Sequence, residues 1–202
     1  RFNNKQKYLS WDCETNGLNL CKTLPWQLGF ITCQGKNVIN EFERKIFWPE
    51  YEISDEVAML NHFNRHQYEK EARDPLEVLE EFESYLYNPE YILIGQNVLG
   101  FDVQIHNVLR KKLGRKSDYS YIDRVIDTKA LSMAIAKGSK TPPKDDLMAW
   151  QYTWLQHREK GIKTSQAHML KHYGIEHRVE DLHSAINDVK FTFEIFKKQL
   201  FE

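Results

Sequence analysis

Two acids stand one residue apart in the stretch WDCETNG, residues 11–17, directly after the short run QKYLS. On a strand, residues i and i+2 point the same way, so Asp12 and Glu14 share a face and Cys13 points to the other. Two carboxylates about 4 Å apart repel by roughly 4 kcal/mol at an effective dielectric near 20. Water, a basic partner, a shared proton or a divalent cation must offset that cost. No Lys or Arg lies among residues 9–21, which leaves water or metal. For this pair alone, solvated acids at an exposed strand end are the plainer reading. Further acids change the balance. Asp102 follows the apolar run YILIGQN and stands near a helix start, where the helix dipole favours a carboxylate. Asp188 sits in the last helical stretch, within LHSAINDVKFT. Acids drawn from strand ends and helix starts far apart in a chain are how oxygen-ligand sites for Mg²⁺ or Mn²⁺ are assembled, with water and substrate phosphate completing the shell.

The elements that must position these acids can be read from the pattern. QKYLSWD, PWQLGFITCQ and NVINEFERKIFW are rich in aromatic and β-branched residues and are separated by the turn signals NGLN and QGKN, so they read as strands. Ser54-Asp55 opens a helix over EVAMLNHF, and Asp74-Pro75 opens another over LEVLEEFESYLY. YILIGQN reads as a buried strand, and FDVQIHNVLRKKLG as a helix ended by Gly114. RVIDT is a short strand, and TKALSMAIA a helix. After the polar loop KGSKTPPKDD come helices near LMAWQYTWLQHRE, TSQAHMLKHYG and SAINDVKFTFEIFKKQL. Three strands, then alternating helices and strands, then helices, point to an α/β fold: a mixed sheet with helices packed on it.

With 202 residues and no break in composition, the chain reads as a single domain over 1–202 with one substantial core. No apolar run reaches membrane-spanning length and no secretory signal opens the chain, so no membrane partner is expected. Three cysteines with no CxxC pair fit a reducing, intracellular compartment. A net charge of −1 neither excludes nor favours nucleic acid, because basic groups can be clustered in a neutral protein.

DCET (12–15), NVLGFD (97–102) and HSAIND (183–188) resemble, in order and spacing, the DxE(T), NxxxFD and HxAxxD motifs of the DEDDh 3′–5′ exonucleases. Weaker matches at ISDEVAMLNHF, VIDTKAL and Thr192 extend the resemblance over about residues 7–200. It implies a ribonuclease H-like fold, a five-stranded mixed central sheet flanked by helices on both faces. It also implies Asp12, Glu14, Asp102 and Asp188 as ligands of two ions, Mg²⁺ or Mn²⁺, and His183 as the general base that takes a proton from the attacking water. Five residues turn an ideal helix by about 500°, so His183 is expected in the loop or first turn ahead of Asp188. The sister subclass has Tyr four residues before the last Asp; here that residue is Ser184. The implied reaction releases nucleoside 5′-monophosphates from a single-stranded 3′ end, in proofreading or repair. DNA is favoured over RNA, because GIEHRVEDLHSAINDV is similar to the last motif region of bacterial exonuclease I. A 3′–5′ exoribonuclease and a non-catalytic, polymerase-associated module are the alternatives, and a DNA polymerase or replication partner belongs to these readings.

Substrate contacts follow from the same resemblance. Thr15 would touch the terminal sugar through its backbone or hydroxyl, and Leu18 would wedge against the last bases or be an ordinary, partly buried apolar residue. Asn97 would bond near the scissile phosphate or cap its turn. Phe101 would stack on a base or pack under the sheet. The Asn16-Gly17 turn suits a close approach of backbone to ligand. Gln96 departs from the His that many relatives carry, which puts a second-nucleotide contact in doubt. The run Arg110, Lys111, Lys112, Arg115, Lys116 would guide a phosphate backbone or form a solvated helix end. TPPKDD would touch substrate or connect helices. His62 with His66, and His168 with His172, stand at i,i+4 without an HExxH signature and read as helix-surface residues.

Overall fold

The computed structural model describes residues 3–139 and 146–202; of the TPPKDD loop, all but Asp146 lies outside the described residues. Strands β1 (Lys7–Thr15), β2 (Pro25–Gln34) and β3 (Asn37–Lys45) form an antiparallel meander, joined to β4 (Tyr91–Gly95) and β5 (Val125–Asp127) in one five-stranded sheet of order β3-β2-β1-β4-β5. The helices are α1 (Asp55–Leu60), α2 (Arg65–Glu71), α3 (Pro75–Leu86), α4 (Asp102–Lys112), α5 (Thr128–Ala136), α6 (Leu147–Gln156), α7 (Gln166–His172) and α8 (Ala185–Gln199). The expected mixed sheet with flanking helices is what the chain forms.

Alternation along β1 divides the core. Leu9 and Trp11 point to one face, where they pack with Leu28 and Phe30 of β2 against Phe82 of α3 and Val103 and Leu109 of α4. Tyr8 points to the other face, where Ile31, Cys33 and Ile94 meet Val189, Phe193 and Phe196 of α8. Asp12 therefore continues the face that α8 covers. Full burial of each α8 phenylalanine contributes about 1.5–3 kcal/mol, enough for the helix to be held by packing rather than by intrinsic propensity.

Helix starts follow the expected chemistry: Asp74 accepts from Leu76 and Glu77 N–H ahead of Pro75, and Asp127 accepts from Lys129 and Ala130 N–H at the start of α5. The helix expected over EVAMLNHF is shorter. It stops at Leu60; Asn61 caps it, and His62 takes a left-handed φ of 53°. A further helix that the hydropathy pattern did not suggest, α2, begins after Asn64, whose side chain accepts from Gln67 N–H. Its sequence RHQYEKE buries Tyr68 alone, so there is almost no apolar stripe to read.

Candidate active site

The acids meet where the central strand outruns its neighbour. β1 pairs with β2 through Thr15, but with β4 only from Lys7 to Ser10. Past Ser10 the β4 side of β1 needs other partners, and the buried Asp102 supplies one: its Oδ1 accepts from Cys13 N–H at 2.9 Å. Asp102 arrives there by a tight return from β4. A Cβ on Gly95 would lie 2.4 Å from Val98 Cβ, so glycine at that position permits the return. Asn97 then takes a φ of 60°, with its N–H on Asp127 Oδ1 at 3.0 Å.

α8 reaches the same place from the opposite face. Ser10 Oγ donates to Val189 O at 3.0 Å in the interior. Gly29, opposite Asp12 in the β1–β2 register, lies under the start of the helix. A Cβ there would sit 2.6 Å from the Ala185 carbonyl carbon, so the missing side chain lets the first turn of α8 rest on the sheet. Asp188 thereby stands beside the β1 acids. One oxygen each from Asp12, Glu14 and Asp188 lies within 4.8 Å of the others, the group among the described residues with metal-ligand geometry. Asp102 is close enough to Asp12 to feel its charge but is not part of that three-way cluster.

The electrostatics are those of crowded acids. Burial pushes Asp12 up to about 7. Burial, then the charges of Asp12 and Asp188, push Glu14 up to about 9. Burial and Asp12 raise Asp188 to about 8, against a backbone hydrogen bond from His183 that pulls it down. Asp102 is raised well above the carboxylate range by burial and by Asp12. Asp188 Oδ1 is shut away from solvent and has no hydrogen-bond partner among the described residues. Buried carboxylate oxygens lacking donors are what a hard divalent cation binds, so this oxygen-only donor set fits one.

His183 precedes the α8 cap Ser184, with a φ of 62° and an exposed side chain. It hangs from the loop ahead of the helix, one of the two positions its spacing from Asp188 allowed. Burial and the neighbouring His62 lower its pKa, which keeps the imidazole neutral and able to accept a proton at neutral pH. His62 is thus not on a helix surface. It sits beyond α1 with Nε2 3.0 Å from Leu182 O, against the loop that carries His183. His168 and His172 do lie on the exposed side of α7.

The remaining residues divide. Leu18 is 85% exposed, which removes the partly buried alternative. The Thr15 hydroxyl donates to Gly17 O at 2.7 Å, and Thr15 O accepts from the buried Asn61 amide at 3.1 Å. Asn16 shapes the bend: its Oδ1 accepts from Leu24 N–H at 2.8 Å, while its amide donates to Glu52 O at 2.9 Å. Gly17 itself lies in open space outside the left-handed region, so the turn does not rest on glycine's freedom. Asn97 Oδ1 accepts from Lys129 Nζ at 3.0 Å, and Phe101 is half-buried at the start of α4. The Gln96 amide donates to Thr164 O at 2.8 Å, and its carbonyl accepts from the Thr128 hydroxyl, so it braces the scaffold. Arg110 and Arg115 are taken up by Glu83 and Glu80. Asn61 and His62 fell within the weak match ISDEVAMLNHF, with no role assigned to Asn61 and His62 read as a helix-surface residue, whereas Gly29, a glycine inside a strand, was a readable sign of close approach.

Sheet order, the face covered by α8, and acids gathered from the end of β1, the start of α4 and the first turn of α8 are those of the ribonuclease H-like fold class. The family model described as Exonuclease (RNase_T) matches residues 9–196. The chain belongs to this exonuclease family. No curated protein matches the sequence. Among solved structures, E. coli exonuclease I in complex with a dA16 oligonucleotide is similar at a TM-score of 0.74 and 18% identity, over 96% of this chain and 40% of that one. The zinc-bound form of the E. coli exonuclease I–ssDNA complex matches at 0.74 and 16% identity, again over 96% and 40%. An exonuclease I complex with SSB-Ct matches at 0.72 and 17%, with the same coverage. The chain thus spans 40% of the length of these structures, and at such identity the likeness concerns the fold.

Proposed function

We propose that residues 1–202 act as one 3′–5′ exonuclease domain that removes nucleoside 5′-monophosphates from single-stranded DNA. The observation that carries this reading is the three-acid cluster, in which one buried Asp188 oxygen has no donor among the described residues and the His183 backbone bonds to Asp188. Asp12, Glu14, Asp188 and Asp102 would hold two divalent ions, Mg²⁺ or Mn²⁺. Bound there, the ions supply an activated water and charge stabilisation on the attacking and leaving oxygens.

The chain's own groups do the rest. Neutral His183 takes the proton from the attacking water. Leu18 offers an exposed apolar edge for the last base. Asn61 fixes the Thr15 carbonyl, leaving the backbone around Thr15 rigid against the terminal sugar. Asn97, oriented by Lys129 and Asp127, faces the phosphate region next to Asp102, and Phe101 offers a ring to a base. DNA is favoured because the similar exonuclease I structures hold dA16 and ssDNA.

The test is incubation of 5′-labelled single-stranded DNA and RNA with the protein and its Asp188→Ala variant, in Mg²⁺ or EDTA. A Mg²⁺-dependent ladder shortening from the 3′ end and absent in the variant is expected, faster on DNA. Cleavage by Asp188→Ala at the wild-type rate would refute the ion assignment. A faster ladder on RNA would reassign the substrate, and no ladder on either strand would point to a required partner such as a polymerase.

A further inference from the structure

Lys129 and Arg158 are two cations close enough to repel each other. Lys129 lies in the first turn of α5, its ammonium lowered by burial and then by Arg158. Its Nζ donates to Asn97 Oδ1 at 3.0 Å. Arg158 follows α6 and donates to backbone oxygens, Leu155 O at 2.6 Å and His157 O at 2.9 Å. Among the described residues no carboxylate forms an ion pair with either. Buried Asp127 attracts Lys129, but its oxygens already accept N–H groups of Asn97, Leu99, Lys129 and Ala130. Glu159 beside them is engaged by Lys137 at 2.6 Å and His157 at 3.3 Å.

These cations line a cleft of about 430 Å³ together with Met133, Glu159, Lys160, Ile162 and Thr164, the Glu159 carboxylate being held by Lys137 and His157. The cleft borders the second motif on two counts: Lys129 holds Asn97, and Thr164 O holds Gln96. Two unpaired cations side by side carry a repulsion that a bound anion would offset. An exposed guanidinium also matches a phosphate in charge and in fork geometry. Arg110 and Arg115, read from the sequence as phosphate guides or as part of a solvated helix end, already have carboxylate partners.

We propose that this cleft binds a backbone phosphate of the strand upstream of the scissile one, with Arg158 and Lys129 as its contacts. The inference rests on the exonuclease reading, and its test does not need cleavage. Binding of a fluorescent single-stranded DNA oligonucleotide is measured in EDTA over a salt series for wild type, Arg158→Gln, Arg158→Lys and Lys198→Gln. Lys198 is an exposed cation on the last turn of α8 and serves as the charge control.

Arg158→Gln is expected to weaken binding about three- to tenfold and to shrink the log–log salt slope by about 0.7, the value for one lost contact to a single strand. Arg158→Lys should retain most of the slope, and Lys198→Gln all of it. An unchanged slope in Arg158→Gln, or an equal fall in Lys198→Gln, overturns the proposal. A parallel titration with dAMP distinguishes the source of the phosphate. Loss of dAMP affinity in Arg158→Gln without a change in strand slope would make the cleft a product site and also overturn it. A slope change in a protein that cuts no strand would instead count against cleavage by this chain alone and leave the cleft standing.

Discussion

At Asp188 a buried carboxylate oxygen meets no donor among the described residues, and its neighbours are two more acids. Free carboxylates titrate near 4. Asp12, Asp188 and Glu14 are raised to about 7, 8 and 9 in the folded chain. Between pH 4 and pH 9 the metal-free folded state therefore holds more protons than the unfolded one, and its stability falls as pH rises through that window. A divalent cation displaces those protons, so the stabilisation it gives grows over the same window. Thermal unfolding in EDTA should show a lower Tm at pH 8 than at pH 6. Mn²⁺ at a hundredfold excess over its Kd should restore about 5–10 °C at pH 8 and less at pH 6. Equal shifts at the two pH values would refute the shared-proton account. His183→Ala should slow cleavage by about 10² to 10⁴ and abolish the acidic limb of the pH–rate profile. A profile that keeps that limb would remove His183 from proton transfer.

Among the elements, the contact between β2 and α8 determines whether the acids meet. Gly29 is the point at which the helix start lies on the strand, with room for no Cβ. Gly29→Ala should cost about 1–3 kcal/mol by overpacking, and it should reduce activity further by lifting Asp188 away from Asp12. Gly17→Ala, in open space, should leave stability within about 0.5 kcal/mol. Chemical denaturation of the pair checks this; equal losses would mean that close approach at Gly29 is not the constraint. The overshoot of β1 beyond β4 acts in the same way for Asp102, because the Cys13 amide needs the acceptor that Asp102 provides.

For the molecule as a whole, stability has supports well away from the acids. Glu83 is buried between α3 and α4, 2.9 Å from His106 Nε2, and also takes Arg110 and Arg115. Removing Glu83 leaves the largely buried Arg110 guanidinium without its carboxylate partner. Glu83→Ala should cost about 3 kcal/mol, at the low end for a broken buried pair, and lower Tm by about 6–12 °C. kcat measured well below the transition should stay at the wild-type value. A large fall in kcat at that temperature would tie the network to the site.

The sequence by itself determined the acids, their order and the periods of the elements that carry them. Asp12 and Glu14 share a face because strand geometry has period two, and the α/β order follows from turn and cap residues close in the chain. The helical pitch placed His183 in the loop or first turn ahead of Asp188. Local rules of this kind act over a few residues and are readable without a structure. Tertiary structure decided what depends on contacts between distant segments. It set Asp188 against Asp12 and Glu14, gave the Cys13 amide to Asp102, and placed His62 beside His183 rather than on a helix face. It also assigned Arg110 and Arg115 to Glu83 and Glu80 while leaving Lys129 and Arg158 without ion pairs among the described residues. A charge shows in the sequence, but its partner is fixed by packing across the whole chain.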